Sequence, residues 1–260
     1  MASPSFRRLL ESKGTLKAGT FIGEFTTPGI GQILKVSGCE FAMVDMEHTG
    51  FSFETVKQTL RSLHDAGVAS MTRPPSKEYH HIARLCDMGA QGIMPPMISS
   101  AEEAERVVSY MKYVPQGIRG CALGLAHDDY RTGPVDEKLK AANEKTSLVA
   151  LIESVEGIEN IDQIAAVEGV DCLWIGHFDL SCSLGIPGQF DHPDFVSAVD
   201  QVIAAAKSNN KTLGRLVPTV EEGVALFKKG FDMILYSMDV GLLRQALTEG
   251  VAALRSQCAS

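Results

Sequence analysis

No stretch of the 260 residues is apolar for long enough to span a bilayer. The opening residues, MASPSFRRLLESKG, lack the apolar h-region of a secretory leader. Lysine-rich and arginine-rich blocks are missing too. Lysines and arginines total 24 against 32 acids, a net charge of −8, so neither nucleic acid nor a membrane surface is an expected partner. The six cysteines, Cys39, Cys86, Cys121, Cys172, Cys182 and Cys258, show no CxxC spacing. In a chain this long they read as reduced thiols, and the expected location is cytoplasmic. No glycine-rich loop opens a helix near the end of the chain, which argues against a phosphate-binding barrel.

What the chain does have is an apolar content of 45% distributed with a strict rhythm. Strand-like runs fall at Thr20–Gly23, Phe41–Asp45, Ala69–Arg73, Gly92–Pro95, Leu148–Glu153, Cys172–Gly176, Leu213–Val217 and Met233–Tyr236. Helical periodicity lies between them, over Ser52–Ala66, Glu78–Met88, Ala101–Met111, Ile158–Val167, Pro193–Ser208 and Val220–Lys229, and several stretches end at a glycine such as Gly67, Gly89 or Gly230. Eight strand–helix units in about this length predict one α/β domain over residues 1–260, a closed (β/α)8 TIM barrel rather than an open sheet. Phe6–Ser12 reads as an N-terminal helix able to plug the barrel's bottom. Tyr113–Ser147 is the one long irregular segment, expected to be a lid or an oligomer contact.

In such a barrel, functional residues collect where the strands end. Four runs end in polar residues: Asp45-Met46-Glu47-His48, Arg73, Glu153 and Asp179. An acid after a strand is often only a helix cap, and for any one of these residues that reading is favoured. Four together make too polar a rim for capping alone. Two carboxylates that converge repel unless a cation sits between them, so Glu153 and Asp179 are the candidate ligands of a divalent metal with open positions for water or substrate.

Taken in order, Val44-Asp45-Met46-Glu47-His48, Thr72-Arg73-Pro74, Asp87-Met88-Gly89-Ala90, Met94-Pro95-Pro96-Met97, Gly117-Ile118-Arg119-Gly120, Ile152-Glu153-Ser154 and Ile175-Gly176 with Asp179-Leu180-Ser181 resemble the HpcH/HpaI aldolase family. The resemblance covers nearly the whole chain. It implies a class II, metal-dependent lyase that cleaves a 4-hydroxy-2-oxo acid to pyruvate and an aldehyde through a pyruvate enolate. The alternative within the family is an oxaloacetate decarboxylase or related enolate-forming enzyme. Glu153 and Asp179 take the metal role by this resemblance, Mg2+ first, with Mn2+ or Co2+ as alternatives. His48 becomes the general acid–base, since an imidazole exchanges protons near neutral pH. Asp45 and Asp87 are candidates to hold its other nitrogen, and Arg73 is placed to stabilise oxyanion charge.

Two departures from the family pattern bear on substrate. Gly176-His177-Phe178-Asp179 stands where many members carry Gly-Pro-Ala-Asp, and Leu151 stands where many carry glutamine. Gly176, His177, Phe178, Asp179 and Leu151 are therefore the candidate substrate contacts, with Arg73. A lysine Schiff-base mechanism is not expected, because no candidate strand ends in lysine. By resemblance the protein is a homo-oligomer, a hexamer that exchanges its last helices, and the pattern Val240, Leu242, Leu243, Ala246, Leu247, Val251, Leu254 permits the exchange.

Overall fold

Each strand must turn one set of alternate side chains inward and the other outward, and here both sets are apolar because the sheet closes on itself. In the computed structural model, which describes residues 5–259, the strands are β1 (Lys17–Ile22), β2 (Phe41–Asp45), β3 (Ala69–Arg73), β4 (Gly92–Ile93), β5 (Ser147–Ile152), β6 (Val170–Ile175), β7 (Thr212–Val217) and β8 (Met233–Met238). All pair in parallel in sequence order, and β8 closes on β1. This is the predicted (β/α)8 TIM barrel.

The helices are α1 (Phe6–Glu11), α2 (Ile30–Val36), α3 (Phe53–Ala66), α4 (Tyr79–Asp87), α5 (Ala101–Met111), α6 (Val135–Lys145), α7 (Val155–Glu159), α8 (Ile161–Ala166), α9 (His177–Ser183), α10 (Pro193–Ser208), α11 (Val220–Lys228) and α12 (Asp239–Cys258). The expected Ile158–Val167 helix is instead two short ones, α7 and α8, meeting at Asn160. The expected loop at 113–147 contains α6. Charged α6 has only Ala142 and Asn143 buried, so its sequence carries little apolar periodicity.

Two apolar clusters follow from the alternation. Ala42, Val44, Leu148, Ala150, Ile152, Leu173 and Ile175 face outward onto the helices. Phe41, Met43, Ala69, Met71, Val149, Leu151, Cys172, Trp174, Met233 and Leu235 fill the barrel. Phe6 and Leu10 of α1 join the second cluster from below, so α1 plugs the bottom. The Phe6 ring meets Phe41 edge-on at 6.1 Å between centroids. Its other neighbour is Gly92, where a Cβ would come within 2.7 Å of a Phe6 ring carbon; only glycine admits the plug there.

The last helix departs from this packing. None of the 20 residues of α12 is buried, and Val240, Leu243, Leu247, Val251 and Leu254 form an exposed stripe at helical spacing. Asp239 fixes its start by accepting from the backbone N–H groups of Gly23, Glu24 and Phe25 at 3.1, 2.9 and 2.8 Å. Between α12 and α2 lies an apolar groove of about 590 Å³, lined by Ile30, Ile33, Leu34, Leu242 and Leu243 among others. No helix among the described residues is long and apolar enough to cross a membrane.

The plug generates a stability prediction. Phe6→Ala empties a fully buried aromatic site and should lower stability by about 3–5 kcal/mol. Urea unfolding followed by circular dichroism measures it, and a change within error would mean that α1 is only a surface appendage.

Candidate active site

The inward-facing series of each strand predicts which side chains reach the barrel's top. Phe41 and Met43 are followed by Asp45, Ala69 and Met71 by Arg73, and Val149 and Leu151 by Glu153. Cys172 and Trp174 are followed by Gly176. Asp45 and Arg73 are register partners on adjacent strands. The apolar interior thus ends in a ring of charge at the strands' C-terminal ends.

Arg73 organises one side of that ring. Its Nε donates to Asp45 Oδ1 at 2.6 Å, and its Nη1 lies 3.0 Å from Glu47 Oε2. Its guanidinium carbon stands 5.9 Å from the centre of the Phe21 ring. Asp45 is completely buried and accepts from the backbone N–H groups of Glu47 and His48 at 3.1 and 3.0 Å. It therefore folds the Asp45–His48 turn and holds Arg73, and its two oxygens are engaged by those groups rather than by the imidazole. His48 stands out at the rim, its side chain 65% exposed and its Nε2 3.8 Å from Glu47 Oε2.

Asp87 is placed differently from the expectation that it supports His48. It ends α4, the helix that runs from the top of β3 back to the bottom of β4. It accordingly lies at the opposite end of the barrel, where Arg119 Nη2 and Nε donate to its Oδ1 at 2.5 and 3.1 Å. Within one chain it does not reach the imidazole. His127, in a short helical turn before α6, is also withdrawn from the mouth, its carbonyl accepting from Lys145 Nζ. It is buried, with Nε2 3.3 Å from Tyr113 Oη.

Glu153 stands two strands round the ring from Arg73. It is buried, and Met97 N–H donates to its Oε1 at 2.8 Å. Met97 holds a left-handed φ of 56°, and its carbonyl accepts from Lys77 Nζ at 2.9 Å. Oε2 lies against Gly176, where a Cβ would sit 2.3 Å from it; glycine here makes room for the carboxylate. Burial pushes the Glu153 carboxyl up to about 7, and the nearby negative charges of Asp179 and Glu47 push the same way. Glu47 is itself raised by burial, with Arg73 and His48 pulling it back. Asp179, in the first turn of α9, is exposed at the mouth. The pair expected from the sequence is therefore brought within electrostatic range. Among the described residues no three histidine, cysteine, aspartate or glutamate side chains gather into a fuller metal-binding group.

The substrate candidates divide. Leu151 is buried one layer beneath Glu153, beside its register partner Trp174, so it forms part of the floor. Phe178 is exposed, and its ring centre lies 4.5 Å from His177 and 5.4 Å from Phe190. The His177 ring packs under Phe178 and against Phe190. Burial and the charge of Arg215 lower it to about 4, so it is neutral and works as an aromatic surface. Sequence reasoning missed Phe21 and the Met97 backbone. The inward parity of β1 could have found the first. The second leaves no signal in residue type, because its contribution is an N–H group.

Comparison with known proteins agrees with this geometry. The family model of the HpcH/HpaI aldolase/citrate lyase family matches residues 18–246. A hydroxypyruvate/pyruvate aldolase of Chromohalobacter salexigens is 32% identical over 239 residues, covering 92% of this chain and 93% of that one. A 5-keto-4-deoxy-D-glucarate aldolase of Shigella boydii is 31% identical, with 83% of each chain covered. Among solved structures, an HpcH/HpaI aldolase from Desulfitobacterium hafniense superposes with a TM-score of 0.92 at 30% identity, covering 98% of this chain and 97% of that one. With its barrel, its charged mouth and these relatives, the chain belongs to the HpcH/HpaI aldolase/citrate lyase family and is a lyase of the aldolase type.

Proposed function

We propose that the protein is a divalent-metal-dependent class II aldolase that reversibly cleaves a 4-hydroxy-2-oxo acid to pyruvate and an aldehyde. The observation that carries the reading is the buried Glu153 carboxylate, crowded by Asp179 and Glu47 and held open over Gly176. Such a carboxylate is short of positive charge. Glu153 and Asp179 offer carboxylate oxygens, a donor type that suits Mg2+ and Mn2+ and also accommodates Co2+. Glu153 and Asp179 would hold the ion, with water and substrate oxygens completing its shell. When bound, the cation acts as a Lewis acid that stabilises enolate charge on the pyruvate fragment.

The chain's own residues supply the rest. Cleavage removes the proton of the 4-hydroxyl group, breaks the C3–C4 bond, releases the aldehyde and leaves an enolate that takes a proton at C3. His48, exposed at the rim beside Glu47, is the group we assign to the proton transfers, directly or through one water. Arg73 would place its guanidinium beside the developing oxyanion. Asp45 and Glu47 fix its plane, and burial strengthens its charge there. The buried apolar layer of Leu151 and Trp174 closes the site from below. We also propose a homo-oligomer, a hexamer of the family's kind, in which the apolar stripe of α12 is covered by a neighbouring copy.

Chelation should abolish turnover and added Mg2+ or Mn2+ restore it; full activity in protein freed of metal would sink the reading. Proton and cation compete for Glu153, so metal affinity should tighten as pH rises toward about 7. In metal-free protein the sign for folding is opposite. The folded state holds the Glu153 proton more firmly than the unfolded chain, so stability should fall as pH rises from the ordinary glutamate value of 4.5 to about 7. Calorimetric titration and thermal melts read the two trends, and Glu153→Gln should flatten both.

His48→Ala should cost about 10²–10⁴-fold in kcat with little change in pyruvate affinity. Arg73→Lys should also slow turnover, since an ammonium cannot span Asp45 and Glu47 as the guanidinium does. The pH–rate limb due to the base should survive in the Arg73 variant and vanish in the His48 variant. Wild-type rates from His48→Ala would place the base elsewhere. For assembly, Leu247→Asp on the exposed stripe should reduce the mass measured by sedimentation; an unaltered oligomer would show that the stripe is not its contact.

A further inference from the structure

The ring around the barrel mouth is polar on one side only. Asp45, Arg73 and Glu153 occupy β2, β3 and the end of β5. On the other side, β7, β8 and β1 contribute Leu216, Met238 and Phe21. Phe21 and Leu216 pack against the apolar interior, and Met238 lies beside Phe21 where the two flank the Cα of Gly23. Next to these strands, Phe178 rests on His177 and Phe190 as an exposed aromatic lip one residue before Asp179. Arg215, the cation of β7, is turned to the outside beneath Phe190 and Phe195, and its Nη2 lies 3.1 Å from Glu222 Oε1. Arg73 is shared between Asp45 and Glu47. A second carboxylate or a polyol lying across this side would meet no cation from these strands and would lose hydration against apolar carbon.

Resting on the aldolase reading above, we propose that the acceptor aldehyde carries an apolar chain or aryl group, seated on Phe21, Leu216, Met238 and Phe178, and not a terminal carboxylate or a polyol. The oxo acid is held on the charged side. Its C3 methyl group gives up one proton and forms the new bond to the aldehyde carbon, and the aldehyde oxygen takes up one proton to become the 4-hydroxyl, so the protons balance and no further reactant is consumed. The acceptor's substituent then points over the apolar side. Phe178 determines specificity in this arrangement because it is the most exposed member of the set and stands closest in sequence to Asp179.

The test uses the full-length protein with pyruvate and Mn2+. Aldol addition is compared for hexanal and benzaldehyde against succinate semialdehyde and D-glyceraldehyde, with deuterium exchange into the pyruvate methyl group recorded in parallel by NMR. Hydrophobic contacts of this extent should favour the apolar pair by about tenfold or more in kcat/KM. Phe178→Arg should lower kcat/KM for hexanal and raise it for succinate semialdehyde, inverting the ratio. Leu216→Ser, from a different strand, should lower the hexanal value as well. Methyl exchange together with a preference for the carboxylated or polyhydroxylated aldehyde would overturn the apolar acceptor while the aldolase reading stands. Absence of both exchange and turnover with every aldehyde would overturn the two together.

Discussion

The barrel mouth depends on an imbalance of charge. Among the described residues, Arg73 is the cation wedged among Asp45, Glu47, Glu153 and Asp179, and its bonds go to the first two. Asp45 is buried completely and can remain so because Arg73 and two backbone N–H groups satisfy it. Among the described residues Glu153 has the Met97 N–H for one oxygen, and burial raises its carboxyl toward neutrality. A fold that buries a carboxylate without a counter-charge gives up stability there, and such a deficit is expected where a ligand supplies the missing charge. Gly176 shows that the space is built in, since any larger residue would press on Glu153.

Much of this arrangement was legible in the sequence, because a parallel barrel converts one-dimensional alternation into position. Phe41-x-Met43-x-Asp45 and Val149-x-Leu151-x-Glu153 each step along the inside of the barrel, and the first polar residue of each series must be at the mouth. Strand and helix limits fell within a few residues for the same reason. What failed were the places where contacts are not periodic. Helix α6 is charged on most faces, and α9 is a short helix within a segment whose rhythm is set by Asp179. Asp87 could be named from its motif but not located. Only the direction of α4 shows that a residue 14 positions after Arg73 has returned to the far end of the barrel.

His177 and Phe178 show how one motif change propagates. In the resembled pattern a proline and an alanine present little more than backbone at this turn. Here two rings stack with Phe190 and Phe195 over Arg215, so the rim of β6 is joined to α10 by a row of aromatic contacts. The interior of a protein is close-packed, and side chains this large are accommodated by the elements behind them. The substitution therefore reshapes the apolar side of the mouth without disturbing Glu153 or Arg73, which belong to other strands.

The two ends of the barrel also differ in how they use lysine. Lys17, Lys112 and Lys211 all lie toward the N-terminal ends of the strands. Lys17 donates to the Ser12 carbonyl, Lys211 to that of Val170 at 2.7 Å, and Lys112 to those of Asn143 and Thr146 at 2.5 and 2.7 Å. Burial lowers the Lys112 ammonium to about 8, the kind of shift that activates a Schiff-base lysine elsewhere. Here three oxygens, counting the Thr146 hydroxyl, surround the nitrogen, and the packed layers of Met43, Met71, Leu151 and Trp174 fill the barrel between this end and the mouth. The lysines tie down chain ends beneath the barrel, and the unpaired charge left for chemistry is negative and lies at the top. A carbonyl substrate entering this fold meets carboxylates, an imidazole and a guanidinium at the mouth, while the amine of Lys77 nearby is held by the Met97 carbonyl and by Glu103.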